Sequence, residues 1–244
     1  MEHTLPLRLR AECVYVVIVA MSLALCAAGA GAQTWNLKAD WSNTNNPNGV
    51  WRYLVDGATG VPGTRDSDPF LAPGAPAVWS DGVTHHVGWS QSIGTEIGLD
   101  VLTGDVYAHT GVPQERIEID WVSPLTGTVT VSGATWKLRD IGRSNYWSIL
   151  VNGTEVVSGQ LVSGDGVDRG HPELFDFTTA VNAGDIVEYS AFTLATGDYL
   201  GLDFSLNAVT TTPEPNTIAL LGIGFAAFGF RRHHRRRFPR GSRG

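Results

Sequence analysis

The feature that most constrains this chain is a series of short segments in which apolar and polar residues alternate, separated by turn residues. In residues 117–121 (IEIDW) the apolar side chains share one face of a strand and the two carboxylates share the other. Asn152-Gly153 lies between two apolar segments, which is the pattern of a two-residue type I′ hairpin. No segment between residues 33 and 212 shows a 3.6-residue period of helical length. The sequence therefore predicts an all-β fold, an antiparallel two-sheet β-sandwich that is jelly-roll-like.

The same patterns give approximate strand positions, bounded by glycine, proline, asparagine and aspartate. A proline-rich segment, residues 57–77, is predicted to be a long ordered loop. The predicted strands cover residues 50–55, 78–79, 85–89, 95–99, 116–122, 127–133, 146–151, 154–157, 174–177, 186–194 and 199–209.

Cysteines and charges divide the chain into a central part and two ends. Both cysteines, Cys13 and Cys26, lie near the N-terminus, so the central part has no disulfide, thiol nucleophile or cysteine metal site. Residues 33–212 contain eight Lys and Arg and 21 Asp and Glu, which gives a net charge of −13. Because such a body repels phosphates and anionic lipids, we expect neither nucleic acid nor a membrane surface as its partner.

The N-terminal end has the order of a secretory signal peptide. Two arginines precede an apolar run over residues 14–28, and small residues follow it. Ala30 and Ala32 before Gln33 form an A-x-A-like cleavage site. We therefore predict a signal peptide over residues 1–32 that delivers the chain to the secretion translocon; an uncleaved anchor is the alternative.

The C-terminal end joins three physical parts in a fixed order. Pro213 and Pro215 hold an extended turn around Glu214. The uncharged residues 217–230 predict a short hydrophobic helix of about 21 Å, whereas a permanent membrane span usually needs about 20 residues. A cluster of arginines follows, which is expected to stay on the cytoplasmic side: Arg231, Arg232, Arg235, Arg236 and Arg237.

These residues resemble the PEP-CTERM sorting signal, which is found on exported proteins of Gram-negative, biofilm-forming bacteria. The resemblance covers residues 212–238 and implies processing by an exosortase, transient anchoring in the inner membrane, and delivery to the cell envelope or extracellular matrix. An ordinary tail anchor with a basic flank is the alternative. The predicted organisation is a signal peptide (1–32), a β-sandwich domain (33–211), the sorting signal (212–238) and a short tail (239–244).

The strand rhythm and turns of residues 117–206 resemble those of carbohydrate-binding-module-like sandwiches. Sugar rings stack on flat aromatic faces, and all eight tryptophans lie in the predicted domain. Four of them, flanked by Asn, Thr or Tyr, are the candidate glycan contacts: Trp35, Trp41, Trp51 and Trp147. A core position is the alternative for each, because sandwiches regularly bury tryptophan.

Residues 118–123 (EIDWVS) resemble the alternating carboxylates of family-16 glucanases, which are also sandwiches. Retaining hydrolysis needs two carboxyl groups about 5 Å apart. Ser123 stands where that family has its acid/base glutamate, and a hydroxyl cannot replace it. We therefore predict an outward-facing acidic strand and no catalytic residue.

Two short acidic segments are the candidate calcium loops. They are residues 66–68 (DSD) and residues 165–168 (DGVD), and solvated loops are the alternative to calcium at both. A zinc site would need His85, His86 and His109, but adjacent strand residues point to opposite faces, so the first two cannot bind one ion together. We expect no metal and no other cofactor.

Together these features predict an exported, non-catalytic protein of the cell envelope or extracellular matrix. Its role would be structural or weak polysaccharide binding, with the translocon and an exosortase as transient partners. The alternative is a glycan-active hydrolase that uses surface carboxylates.

Overall fold

The computed structural model describes residues 33–63, 78–81, 87–94, 96–111 and 113–209. These ranges contain strands and turns, and no helix in them is long and apolar enough to cross a membrane. The predicted signal peptide and the predicted helix at 217–230 lie outside the described residues. The strands are β1 (Thr34–Asn36), β2 (Trp51–Val55), β3 (Ala58–Thr59), β4 (Val61–Gly63), β5 (Val78–Ser80), β6 (Gly88–Gln91), β7 (Val106–His109), β8 (Ile117–Val122), β9 (Gly127–Lys137), β10 (Asn145–Val151), β11 (Thr154–Leu161), β12 (Glu173–Val181), β13 (Ile186–Thr193) and β14 (Tyr199–Val209).

The strands form two antiparallel sheets. The larger, eight-stranded sheet has the order β12-β9-β14-β7-β6-β5-β4, with β1 also paired to β14. The six-stranded sheet has the order β11-β10-β13-β8-β2-β3. Because β9 and β10 follow each other in the chain but lie in different sheets, the connection between them crosses the sandwich. The predicted all-β, two-sheet β-sandwich is confirmed.

The core fills the space between the sheets. Along β8, Ile117, Ile119 and Trp121 are fully buried, as their alternation predicts. Opposite them, the Tyr189 hydroxyl lies 2.8 Å from the hydroxyl of Thr135, which joins the two sheets through a buried hydrogen bond. Each large apolar side chain removed from water contributes about 1.5–3 kcal/mol, so this layer of aromatic and branched residues is the main source of stability.

The Asn152-Gly153 hairpin between β10 and β11 is confirmed. Both residues have positive φ, 49° and 76°, which a type I′ turn requires. The Asn152 side-chain oxygen also accepts a hydrogen bond of 2.9 Å from the backbone N–H of Ile186. The turn therefore fixes the register of its own hairpin and holds the start of β13.

Some strand predictions were wrong. Residues 96–99, predicted as strand, form a turn. Strands β1 and β7 were not predicted, and two short strands, β3 and β4, lie inside the segment predicted to be a loop. By contrast, β14 spans the predicted residues 199–209.

The first and last strands of the described domain, β1 and β14, are paired with each other. Thr34 of β1 is in register with Asn207 of β14, and the backbone N–H of Ala208 donates a 2.8 Å hydrogen bond to the carbonyl of Gln33. The two strands are therefore neighbours in the eight-stranded sheet.

Candidate functional site

Three of the four predicted glycan contacts belong to the core, which corrects the expectation that they face a ligand. Trp35, Trp51 and Trp147 are 6%, 1% and 2% exposed. Trp35 meets the ring of Trp121 at 5.0 Å, and Trp147 stacks on Tyr189 with centroids 6.4 Å apart. Each lies on the inward face of its strand, so the alternation that built the sandwich also buried it.

Trp41 is the predicted contact that keeps solvent access. It is half-buried in the loop after β1, and its ring packs against Tyr53 with centroids 4.4 Å apart. Its indole N–H donates a 2.8 Å hydrogen bond to the side chain of Asn43. Its role in glycan contact stays a prediction.

The strongest candidate site lies on the outer face of the six-stranded sheet. Glu118 and Asp120 of β8 and Glu188 of β13 project from that face, and we call these three residues the acidic face. Asp120 is directly opposite Glu188 on one side and Arg52 of β2 on the other. Side chains directly opposite in antiparallel strands have Cβ atoms about 5 Å apart, so Asp120 and Glu188 are close neighbours. Glu118 is two residues along β8, opposite Ser190.

The outward direction of these carboxylates is as predicted, but two of them are not solvated. Glu118 and Asp120 are only 5% and 3% exposed, and Glu188 is half-buried. Burial raises the pKa of Glu118 and of Asp120. Burial, followed by the negative charges of Asp120 and Glu118, raises the pKa of Glu188 to about 7. The acidic face therefore carries a free-energy cost whenever all three groups are ionised.

Few hydrogen bonds compensate this cost. Arg52 Nη2 donates to Asp120 Oδ2 at 2.6 Å, and the backbone N–H of Gly57 donates to Glu118 Oε2 at 3.1 Å. Asp120 Oδ1 is buried without a hydrogen-bond partner. Within the described ranges, Glu188 forms no hydrogen bond or ion pair. Two acceptor groups of the cluster are thus left for something outside the sheet.

An aromatic pair borders the acidic face. Tyr146 of β10 is opposite Phe192 of β13, and their rings lie 5.2 Å apart at 36°. Phe192 is on the same side of its strand as Glu188, since four residues separate them. Arg116 lies over the Phe192 ring at 5.1 Å and donates to the Ser190 hydroxyl at 3.1 Å. Both rings are half-buried, so part of each remains accessible.

The position equivalent to the glucanase acid/base residue holds no carboxyl group. Ser123 is 3% exposed, and its hydroxyl donates a 2.7 Å hydrogen bond to the carbonyl of Leu125. It closes a turn and faces no open site. The family-16 arrangement is therefore not formed at this position.

The candidate calcium loop at residues 165–168 is organised around an ammonium group. Lys137 Nζ lies 2.5 Å from Asp165 Oδ1, 2.5 Å from the carbonyl of Val162 and 3.4 Å from Asp140 Oδ2. We call Lys137, Asp140 and Asp165 the lysine cluster. The Lys137 side chain is 3% exposed. An internal cation thus already neutralises the carboxylate that a calcium ion would use.

The carboxyl pKa values of the lysine cluster are shifted in the opposite direction to those of the acidic face. Burial disfavours the charged form of Asp165, but hydrogen bonds from Lys137 and from backbone N–H groups lower its pKa. Hydrogen bonds from Ser163 and Gly164 lower the pKa of Asp140 to about 2. These carboxylates are held ionised.

The other candidate metal ligands are not brought together. His109 of β7 packs against the Tyr199 ring at 4.4 Å, while His85, His86 and the acidic segment 66–68 lie outside the described residues. Among the residues that the structure describes, no group of three or more His, Cys, Asp or Glu could hold a metal ion. Calcium binding stays a prediction without a described site.

Comparison with protein families matches residues 211–236 to the PEP-CTERM protein-sorting motif. This chain carries a PEP-CTERM motif. The matched range includes the predicted Pro213, Glu214 and Pro215 and every predicted arginine except Arg237. The PEP-CTERM motif implies export and membrane-anchored sorting by an exosortase. Its residues lie outside the described part of the chain.

Several solved structures are similar to the sandwich that precedes the PEP-CTERM motif. A family 35 carbohydrate-binding module from Clostridium thermocellum is 13% identical, with 72% of this chain and 98% of that chain covered and a TM-score of 0.33. The module TmCBM61, solved with β-1,4-galactotriose, is 13% identical over 64% of this chain and 86% of that chain, with a TM-score of 0.34. The K1 cleaved adhesin domain of Lys-gingipain from Porphyromonas gingivalis W83 is 12% identical over 74% and 99%, with a TM-score of 0.38. No curated protein matches the chain in sequence.

Proposed function

We propose that this chain is an exported, non-catalytic protein of the cell envelope or extracellular matrix, and that its sandwich binds polysaccharide through the acidic face. The observation that carries the proposal is the desolvated carboxylate cluster on an outward sheet face, where Asp120 Oδ1 is buried without a hydrogen-bond partner. Sugar hydroxyls donate hydrogen bonds, and bonds to an ionised carboxylate are about twice as strong as neutral ones.

The surroundings of the acidic face support a sugar better than a small ion. The half-buried rings of Tyr146 and Phe192 offer apolar surface beside the carboxylates, and sugar rings present apolar C–H faces to such rings. Arg52 adds a donor next to Asp120 for ring or hydroxyl oxygens. A few convergent polar groups beside aromatic surface are typical of ligand sites.

The proposed destination follows from the PEP-CTERM motif together with the composition of the domain. The motif accounts for export and sorting, and a cysteine-free domain of net charge −13 is suited to an oxidising, cation-rich exterior. A purely structural matrix role is what remains if the sandwich binds no glycan.

A polysaccharide panel tests the proposed binding. The full chain, purified in a detergent without sugar headgroups, is titrated by calorimetry with soluble glucans, galactans, uronans and amino glycans. At least one class is expected to bind, and Asp120→Asn is expected to weaken binding about tenfold, because hydrogen bonds to charged groups contribute about 1.5–3 kcal/mol. Asp176→Asn, on the outer face of the other sheet, is the matched control and should bind as the native chain does. Absence of binding to every class would refute the proposal.

A hydrolase is the second candidate, and one observation favours it. Glu188, with its pKa raised to about 7, is directly opposite Asp120, whose ionised form Arg52 favours even though burial raises its pKa. A retaining glycosidase also uses one protonated and one ionised carboxyl group as close neighbours. The release of reducing ends from any glycan that binds, abolished by Glu188→Gln, would replace the non-catalytic proposal; binding without turnover supports it.

A further inference from the structure

Given the polysaccharide binding proposed above, on which this inference rests, we propose that the ligand is a glycan with free amino groups, one of which is held as an ammonium group between Asp120 and Glu188, with the negative charge of Glu118 nearby. The acidic face is thereby assigned a substrate class, cationic glycans of the glucosamine type. Neutral and anionic glycans would bind more weakly at the same place.

The first support is a shortage of positive charge. Three carboxylates of the acidic face, with Asp56 and Glu155 nearby on the same sheet, are accompanied by two arginines. The Arg52 guanidinium is bonded to Asp120. The charge of Arg116 favours the ionised forms of Glu118 and Glu188, but its hydrogen bond goes to the neutral Ser190 hydroxyl. No lysine or histidine of the described residues ion-pairs with the acidic face. A cation from outside would relieve the repulsion.

The second support is independent of charge and comes from an unsatisfied atom. The Asp120 side chain is 4% exposed, and its Oδ1 atom has no hydrogen-bond partner although Oδ2 is bonded to Arg52. A buried carboxylate oxygen without a donor costs about 1–3 kcal/mol or more. An N–H or O–H group of a ligand placed against the cluster would supply the missing donor.

An ammonium group fits the cluster better than a metal ion. An ammonium group donates three hydrogen bonds and does not need its oxygen partners in a fixed geometry. Calcium needs six to eight oxygen ligands at about 2.3–2.6 Å. The acidic side chains come from separate strands, and within the described ranges no three of them are placed to hold a metal. The lysine cluster shows the preferred solution inside the same molecule, since its ammonium group takes three oxygen partners.

The aromatic pair argues for an amino sugar rather than a lysine-rich peptide. Tyr146 and Phe192 lie in register on β10 and β13 and together present a tilted pair of rings beside the carboxylates. Phe192 and Glu188 are four residues apart on one face of β13, which is about 13 Å at roughly 3.3 Å per residue. A glycan with one ring on the aromatic pair would therefore place a later sugar of the same chain, with its amino group, at Glu188. A flexible lysine side chain has no flat ring to place there.

The test compares glycans that differ only in the charge of one substituent. The full chain is titrated by calorimetry with a β-1,4-linked glucosamine hexamer, its fully N-acetylated counterpart, a neutral gluco-oligosaccharide of the same length, and hexalysine. We expect the free amine to bind about tenfold or more tightly than the acetylated hexamer, the range that a close charge pair contributes at an interface. Glu188→Gln and Asp120→Asn should remove most of that preference, while Asp176→Asn should keep it.

Each other outcome has one meaning. Equal affinity for the amine and its acetylated counterpart would overturn the inference and leave polysaccharide binding standing. Hexalysine binding as tightly as the amino glycan would also overturn it, because the surface would then be a general polycation site. Binding to none of the glycans would refute the proposed function itself. Circular dichroism melts of each variant establish that a lost preference is not lost folding.

Discussion

The acidic face and the lysine cluster use the same kinds of side chain in opposite electrostatic states. In the lysine cluster each carboxylate has a cation or several N–H donors, and the pKa values of Asp140 and Asp165 are lowered. On the acidic face burial raises the pKa values of all three groups, and like charge raises those of Glu118 and Glu188 further. The carboxylates of the lysine cluster are paired with a cation or with N–H donors, whereas those of the acidic face are only partly paired. The unmatched cluster is therefore better explained by a ligand than by stability.

The largest effect is expected from removing the internal cation. Lys137→Met removes the ammonium group that Asp165 and the carbonyl of Val162 share, while both keep a backbone N–H donor. The free energy of unfolding should therefore fall by about 2–3 kcal/mol, the range for hydrogen bonds to a charged group. Urea unfolding at pH 7 measures it. The matched control is Lys38→Met, because Lys38 is 41% exposed and its partner Asp105 also binds Arg169. Equal losses in the two variants would mean that the lysine cluster is an ordinary surface ion pair.

A change of opposite sign is expected on the acidic face. Glu188 has an ordinary pKa of 4.5 and a folded value of about 7, so the folded protein binds the extra proton between these pH values. Its favourable contribution is present below pH 4.5 and is lost as the pH rises through 7. Glu188→Gln should therefore stabilise the protein at pH 8 by about 1–2 kcal/mol, allowing for solvent screening at a half-buried site, and by little at pH 4.5.

Asp165→Asn is the counterpart for that measurement. Its folded pKa is lowered below 3.8, so its contribution is present above that pH and is lost as the pH falls through the folded value. This variant should destabilise the protein at pH 8, where Glu188→Gln stabilises it. Urea titrations of both variants across pH 4–8 compare the two clusters directly, and the same sign for both at pH 8 would contradict the distinction.

The smallest effect is expected from salt. Repulsion within the acidic face is screened as ionic strength rises, and the Debye length falls from about 30 Å at 0.01 M to about 3 Å at 1 M. The native chain should gain less than about 1 kcal/mol at pH 8, and Glu188→Gln should gain less than the native chain does. Thermal melts in sodium chloride measure both, and a loss of stability with salt would place the dominant interaction in the ion pairs.

Local patterns were enough to predict much of the fold. The alternation in β8 and the turn at Asn152-Gly153 each depend on neighbouring residues alone, and both are confirmed. Strand β9 was predicted to stop at Gly133 but continues to Lys137. A Cβ at Gly133 would lie 2.0 Å from the carbonyl of Asp203, so this glycine allows close strand packing and does not end the strand.

Long-range pairing explains what the sequence could not predict. Arg52 and Asp120 are 68 residues apart, and only the neighbouring positions of β2 and β8 bring them together. Glu118 and Asp120 likewise lie between two strands, β2 and β13, that come from distant parts of the chain. For Trp147 and Trp51 a local signal did exist, because they alternate in phase with Ile149 and Tyr53. That phase marks both tryptophans as inward-facing.

The adjacent ends of the sandwich determine how it would respond to a pull. Gln33, just before β1, is bonded to Ala208 of β14, and the two strands run antiparallel. Force applied to both ends would therefore load the backbone hydrogen bonds one after another. Under this load the hydrogen bonds between β1 and β14 would break in sequence, beginning at the pulled end. The first strand would therefore detach at low force, long before the layers of the sandwich separate.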